Sequence, residues 1–188
     1  MMAGLGHNNG PTLEGGTAWR RHAWQRARAE LLPKLPLEVI RLRVTRAKEL
    51  GLDYRSYASL RASTGRDVIA FLFSSNALRV ARDGRPATGR AARLHAIHAC
   101  GRLALVQPPL PPERLIAATD GLIERADRAP GLADTWRAAR TRIETLTRGI
   151  PADGIVVIGD TALERDWCTA ARLGGFLPSD RYFQGDSA

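Results

Sequence analysis

The residues best placed to do chemistry lie in the run Ile155-Val156-Val157-Ile158-Gly159-Asp160-Thr161-Ala162-Leu163-Glu164. Four apolar residues followed by Gly-Asp read as a buried strand that ends in a carboxylate, with a helix starting just beyond. Ligands of open α/β sheets bind outside the carboxyl ends of the strands. Asp160 would sit there, with Glu164 one helical turn further on. Two carboxylates so placed offer the oxygen ligands that Mg²⁺ prefers, which makes Asp160 and Glu164 candidates for catalysis or metal binding. The plainer role for Asp160 is to make the turn and cap the next helix.

Together with Ala170-Ala171-Arg172-Leu173-Gly174, this segment resembles the last conserved motif of haloacid-dehalogenase-like hydrolases. The resemblance covers residues 155–174. It implies metal-binding acids at Asp160 and Glu164, Mg²⁺ as cofactor, and an α/β hydrolase or a catalytically inactive relative of one. The rest of the family pattern is missing. The first strand of such enzymes ends Asp-x-Asp, whereas Phe71-Leu72-Phe73-Ser74-Ser75-Asn76 has no acid. Gln107 stands where the family has Thr or Ser, and no lysine follows Lys48. A covalent phosphoryl mechanism needs its nucleophilic carboxylate, so the sequence reads as a binding protein rather than an enzyme, with no cofactor.

A second constellation lies in the basic half. Ala47, Gly51, Tyr57 and Leu60 fall at spacings that resemble a helix-turn-helix over residues 43–62. Arg55, Ser56, Ser59 and Arg61 would project outward, and Arg41, Arg43, Arg46 and Lys48 would add backbone contacts. Arg41, Arg43, Arg46, Lys48, Arg55 and Arg61 are therefore the expected nucleic-acid-binding residues. A helical hairpin with a solvated basic face accounts for the same spacing.

Lesser signals are fewer in residues. His95-x-x-His98-x-Cys100 has metal-ligand chemistry but supplies too few ligands for a structural zinc. Ser74-Ser75-Asn76 closes a strand and could offer backbone amides to an anion. Trp136 and Trp167 fall on amphipathic helices and are expected in the core. Neither a phosphate-binding nor a dinucleotide-binding glycine motif occurs.

Charge is unevenly distributed. The formal net charge of the 188 residues is +9. Residues 1–101 hold 17 Lys and Arg against 7 Asp and Glu, and residues 102–188 hold 11 against 12. A net of +10 facing a net of −1 points to a nucleic acid or an acidic protein surface as partner. All the basic residues except Lys34 and Lys48 are arginines, a bias that codon usage can also produce. Two cysteines make no disulfide framework. With no apolar run of membrane-spanning length and no leader pattern, a cytoplasmic protein without membrane contact is expected.

These residues need elements to hold them. Residues 1–16 read as a tail and 17–65 as helical, with helices over Ala18–Leu32, from Pro36 to about Leu50, and over Tyr54–Ala62. From residue 66 the order is an apolar run at Val68–Phe73 that reads as a strand, with a buried helical turn as the alternative, then helix Arg90–Ala99, strand Leu103–Val106, helices Glu113–Ala126 and Leu132–Arg148, strand Ile155–Ile158, and helix Leu163–Leu173. Strands alternating with helices make the fold class α/β: an N-terminal helical segment followed by a small, mostly parallel sheet flanked by helices.

Overall fold

A computed structural model describes residues 35–183. The expected helix Ala18–Leu32 and its arginines lie outside the described residues. Two compact units make up the chain, Met1–Ile40 and Arg41–Ala188. Helix α1 (Leu37–Glu49) begins in the first and continues into the second.

The second unit is an α/β domain. After α1 come α2 (Tyr54–Thr64), β1 (Ala70–Ser74), α3 (Thr88–His95), β2 (Gly101–Val106), α4 (Pro112–Ala118), β3 (Arg125–Arg128), α5 (Trp136–Leu146), β4 (Ile155–Gly159), α6 (Ala162–Ala170), β5 (Gly175–Pro178) and α7 (Ser179–Phe183). The five strands form one sheet in the order β3-β2-β1-β4-β5, and every pairing is parallel. Leu72 is central, opposite Leu103 on one side and Val157 on the other.

Parallel strands need long crossovers, and the crossing helices cover both faces of the sheet. Alternation along the strands divides the core accordingly. Phe71, Phe73, Ala104, Val106, Val156 and Ile158 face one way and pack with Ala47, Tyr57, Leu94, Leu115 and Tyr182, so α1 to α4 and α7 cover that side. Ala70, Leu72, Leu103, Leu105, Ile155 and Val157 face the other way, against Ile143, Leu146 and Trp167 of α5 and α6.

Local chemistry sets several boundaries. Gly51, at φ +65°, ends α1. The Asp53 side chain accepts from Ser56 N at 2.8 Å and caps α2, and left-handed Gly65 closes it. Thr135 caps α5 through Ala138 N. At α6 the cap is Thr161, whose hydroxyl accepts from Glu164 N at 3.2 Å while the Glu164 carboxylate reaches back to Thr161 N at 3.0 Å. This is a reciprocal capping box, and it displaces Asp160 from the capping role.

Three expectations change. The helix expected over Glu113–Ala126 stops at Ala118, where Asp120 and Gly121 take positive φ, and Arg125–Arg128 becomes edge strand β3. Gly174-Gly175 does more than end a helix, since Gly175–Pro178 pairs with β4 as β5. Trp136 is 54% exposed because it opens α5, whereas Trp167 is buried.

Cys100 is buried beside the start of β2, and burial pushes its thiol up from 9.0 to about 12. An acid whose pKa is raised in the folded state contributes stability below its unfolded pKa, and that contribution is lost as pH rises toward the folded value. Stability should therefore decline from about pH 9 toward about pH 12. Chemical denaturation across that range should show a shallower decline for Cys100→Ala than for wild type.

Candidate functional site

The carboxyl edge of the sheet is where the sequence places its acids, and there the side chains are engaged with one another. Glu164 is fully buried. Its Oε1 accepts from Asn76 Nδ2 at 2.8 Å, and its Oε2 accepts from Asp160 N at 2.6 Å and Thr161 N at 3.0 Å. Both oxygens thus hold the β4–α6 turn and tie it to the turn after β1. A Cβ at Gly159 would stand 2.9 Å from Glu164 Oε2 and 2.8 Å from the Phe176 ring. The glycine is needed for that close approach.

Asp160 is exposed. One oxygen, Oδ1, accepts from the hydroxyl of buried Ser179 at the end of β5. The Arg90 guanidinium lies close, stacked 3.9 Å from the centre of the Phe183 ring and bonded to Ser179 O at 3.4 Å. Burial holds the Arg90 pKa below its ordinary value, helped by the charge of Arg79 and opposed by Asp160 and Asp180. Asp160 and Glu164 share a turn, but the Glu164 oxygens face its backbone amides. Among the described residues no group of three or more His, Cys, Asp or Glu is placed to hold a metal ion.

The other polar signals also resolve into structure. Helix α3 stops at His95, so His98 lies beyond it; its backbone N–H meets Glu49 O at 2.9 Å, and Cys100 is buried while both histidines are exposed. After β1, the amides of Ser75, Ala77, Leu78, Arg79 and Val80 all donate within the protein. The expected anion loop at Ser74-Ser75-Asn76 therefore has few amides to offer.

The basic helical pair is packed much as its spacing suggests. Ala47 and Tyr57 are buried and Leu60 is half-buried against the core. Ser56, expected to point outward, is buried with its hydroxyl on Asp53. Arg46 differs from its neighbours. Its Nε bonds Asp67 at 3.1 Å, Nη1 bonds Glu49 at 2.8 Å and His98 O at 3.3 Å, and Nη2 bonds Val68 O at 3.0 Å and Ala99 O at 2.9 Å. Burial disfavours its charge, but Glu49 and Asp67 outweigh that and the net shift is upward. Arg46 is an internal tie between α1 and the segments that lead into β1 and β2. Arg61 lies 3.9 Å from Asp67 and is half-buried.

Lys48 belongs to a different setting. It lines a shallow depression of about 220 Å³ at the α1–α2 turn together with Arg93 of α3 and Arg181 of α7. Asp53 lines it too, and Tyr182 forms part of the floor. The Arg93 guanidinium lies 5.8 Å from the centre of the Tyr182 ring. Desolvation works against the Asp53 charge, but bonds from Ser56 and the nearby Arg181 charge hold its pKa below the ordinary value. Arg55 is exposed on the first turn of α2, and Arg41 is exposed on α1 seven residues before Lys48, hence on the same helix face. Arg43 is half-buried. Sequence reasoning missed Arg93 and Arg181, since nothing in their local sequence brings them to this turn.

Replacing Arg46 by Met should lower stability by roughly 2 kcal/mol, or about 4–8 °C in Tm, because hydrogen bonds to charged groups are lost and the carbonyls of Val68 and Ala99 lose a donor. Thermal and urea unfolding check this; an unchanged midpoint would remove Arg46 from its structural role. No protein-family model, no curated protein and no solved structure matches the chain, so its functional reading rests on the geometry of its own side chains.

Proposed function

We propose that this protein binds a polyanion, with a nucleic-acid backbone as the first choice, through the basic surface at the α1–α2 turn. Lys48, Arg55, Arg93 and Arg181 make its centre, flanked by Arg41 and Arg43. The observation that carries this reading is the meeting of Lys48, Arg93 and Arg181, from three elements far apart in sequence, at one depression that holds a single acid. Like charges brought together in one depression favour an anionic partner. Arg46 and Arg61 are not part of this surface; they support it.

Filter binding of duplex DNA and of single-stranded RNA over a salt series tests the reading. Each phosphate contact contributes about 0.9 to the slope of log affinity against log salt for duplex DNA, so four cations give a slope of roughly −3 to −4. The triple variant K48A/R55A/R181A should flatten that slope by about 2–3 while leaving Tm near wild type. Retention that ignores salt, or a triple variant that binds as wild type does, rejects the proposal.

A second reading draws on the strand order. Because β1 and β4 are neighbours, the Gly159-Asp160 turn lies beside the end of β1, as a haloacid-dehalogenase-like ancestry would require. Since β1 ends in Ser74-Ser75-Asn76 and Glu164 is engaged with the backbone, the reading is of an inactive relative. Assays with p-nitrophenyl phosphate and Mg²⁺ should give no turnover, with Asp160→Asn indistinguishable from wild type. Turnover that Asp160→Asn abolishes would replace this reading with an enzymatic one.

A further inference from the structure

A second concavity lies at the carboxyl ends of β1 and β2, away from the α1–α2 turn. It is a cleft of about 490 Å³ between the loop after β1, the loop after β2 and helix α4. That volume is within the range of about 300–1,000 Å³ typical of small-molecule sites. Two arginines line it, Arg82 from the first loop and Arg114 from α4, together with Ser75, Asn76 and Gln107. Its remaining walls are apolar, with Val80 on one side and Leu110 and the adjoining prolines on the other. No Asp, Glu, His or Cys lines it. Asp83, next to Arg82, is turned to its own loop, where it accepts from Arg85 N at 3.0 Å.

The cleft is built rather than incidental. Arg114 Nη1 donates to Arg82 O at 3.2 Å, which ties one wall to the other. Gly84 fits against Arg114 so closely that a Cβ there would stand 2.7 Å from Arg114 O, and its φ is +89°. Within the same loop Ala81 N donates to Arg85 O at 2.9 Å. Gln107 N donates to Ser75 Oγ at 2.9 Å, and this links the turns after β1 and β2. The Ser75 hydroxyl, accepting there, keeps its own proton to donate. Asn76 gives Nδ2 to Glu164, so its position is fixed from behind.

We infer that this cleft binds a phosphomonoester carried on a planar or apolar body, of about mononucleotide size. The two guanidinium forks suit the phosphate, because arginine presents paired donors in a plane that match phosphate oxygens. The Ser75 hydroxyl and the Gln107 side-chain amide add neutral donors. Val80, Leu110 and Pro109 give the body an apolar slot. With no carboxylate, thiol or imidazole at the lining, the site holds its ligand without transforming it. It is separate from the polyanion surface, and the two share no residue.

Isothermal titration of the full-length protein with AMP, ribose 5-phosphate, phenyl phosphate and adenosine tests the inference. At least one of the three phosphate esters should bind saturably at one per chain, about tenfold or more tighter than adenosine. Arg82→Gln and Arg114→Gln should each weaken that binding by about tenfold, the effect expected on loss of one charge-assisted contact. K48A/R55A/R181A should leave it unchanged. The Arg82 side chain makes no hydrogen bond or ion pair among the described residues, so Arg82→Gln keeps the test sound even if Arg114→Gln unfolds the loop. Failure of all three esters to saturate, equal binding of adenosine, or weakening by the triple variant but not by Arg82→Gln would each overturn the inference.

Discussion

Everything in the second unit is arranged around the parallel pairing of β1. All five of its residues are buried, and it pairs in parallel with β2 on one side and β4 on the other. A strand in that position can expose neither face, so both must be covered by helices. Polar side chains fasten each end of it. At the amino end, Arg46 gathers the carbonyls of Val68 and Ala99, which lead into β1 and β2. At the carboxyl end, Asn76 reaches Glu164, which in turn holds the amides that open α6. Removing either partner from such a tie leaves polar groups near the core without bonds, which costs more than the bond itself contributes.

The fold also redistributes charge. Read as a linear sequence, the first half is strongly basic and the second is balanced. In three dimensions the halves interleave, and several arginines of the first half pair with acids of the second. Arg66 meets Asp153 at 2.8 Å, and Arg79 and Arg90 both approach Asp180. The exposed pairs contribute little stability, but they neutralise part of the excess locally. Other arginines gather at two places, the α1–α2 turn and the β1–β2 cleft. Arg181 and Arg114, both from the balanced half, belong to these two places. The asymmetry along the chain is therefore a poor map of the surface.

β2 and β4 were legible as short apolar runs bounded by turn residues, whereas the apolar run of β1 fits a strand or a buried helical turn until its pairing on both sides is seen; α1 and α2 were legible because Gly51 and the spacing of Ala47, Tyr57 and Leu60 carry local information. The edge strands were not. Arg125-Ala126-Asp127-Arg128 has the composition of a helix surface, and only its pairing with β2 makes it a strand. Asp120-Gly121 was the available signal that the preceding helix must stop. The role of Glu164 could also have been found, since Thr161-x-x-Glu164 is a capping-box pattern. Arg46 could not, because its carbonyl partners lie as far as 53 residues away.

These contacts bear on where a ligand can act. The rule for open α/β sheets directs attention to the crevice between β1 and β4, where neighbouring strands lead to helices on opposite faces. Here that crevice is bridged by Asn76 and Glu164, and its one exposed acid, Asp160, is held by Ser179. The open space lies one strand over, between the turns after β1 and β2, and two arginines and no acid line it. At this edge Glu164 is turned inward to backbone amides while Arg82 and Arg114 line the neighbouring cleft, and on the binding proposed for that cleft the edge serves to hold an anion rather than to activate water or a metal.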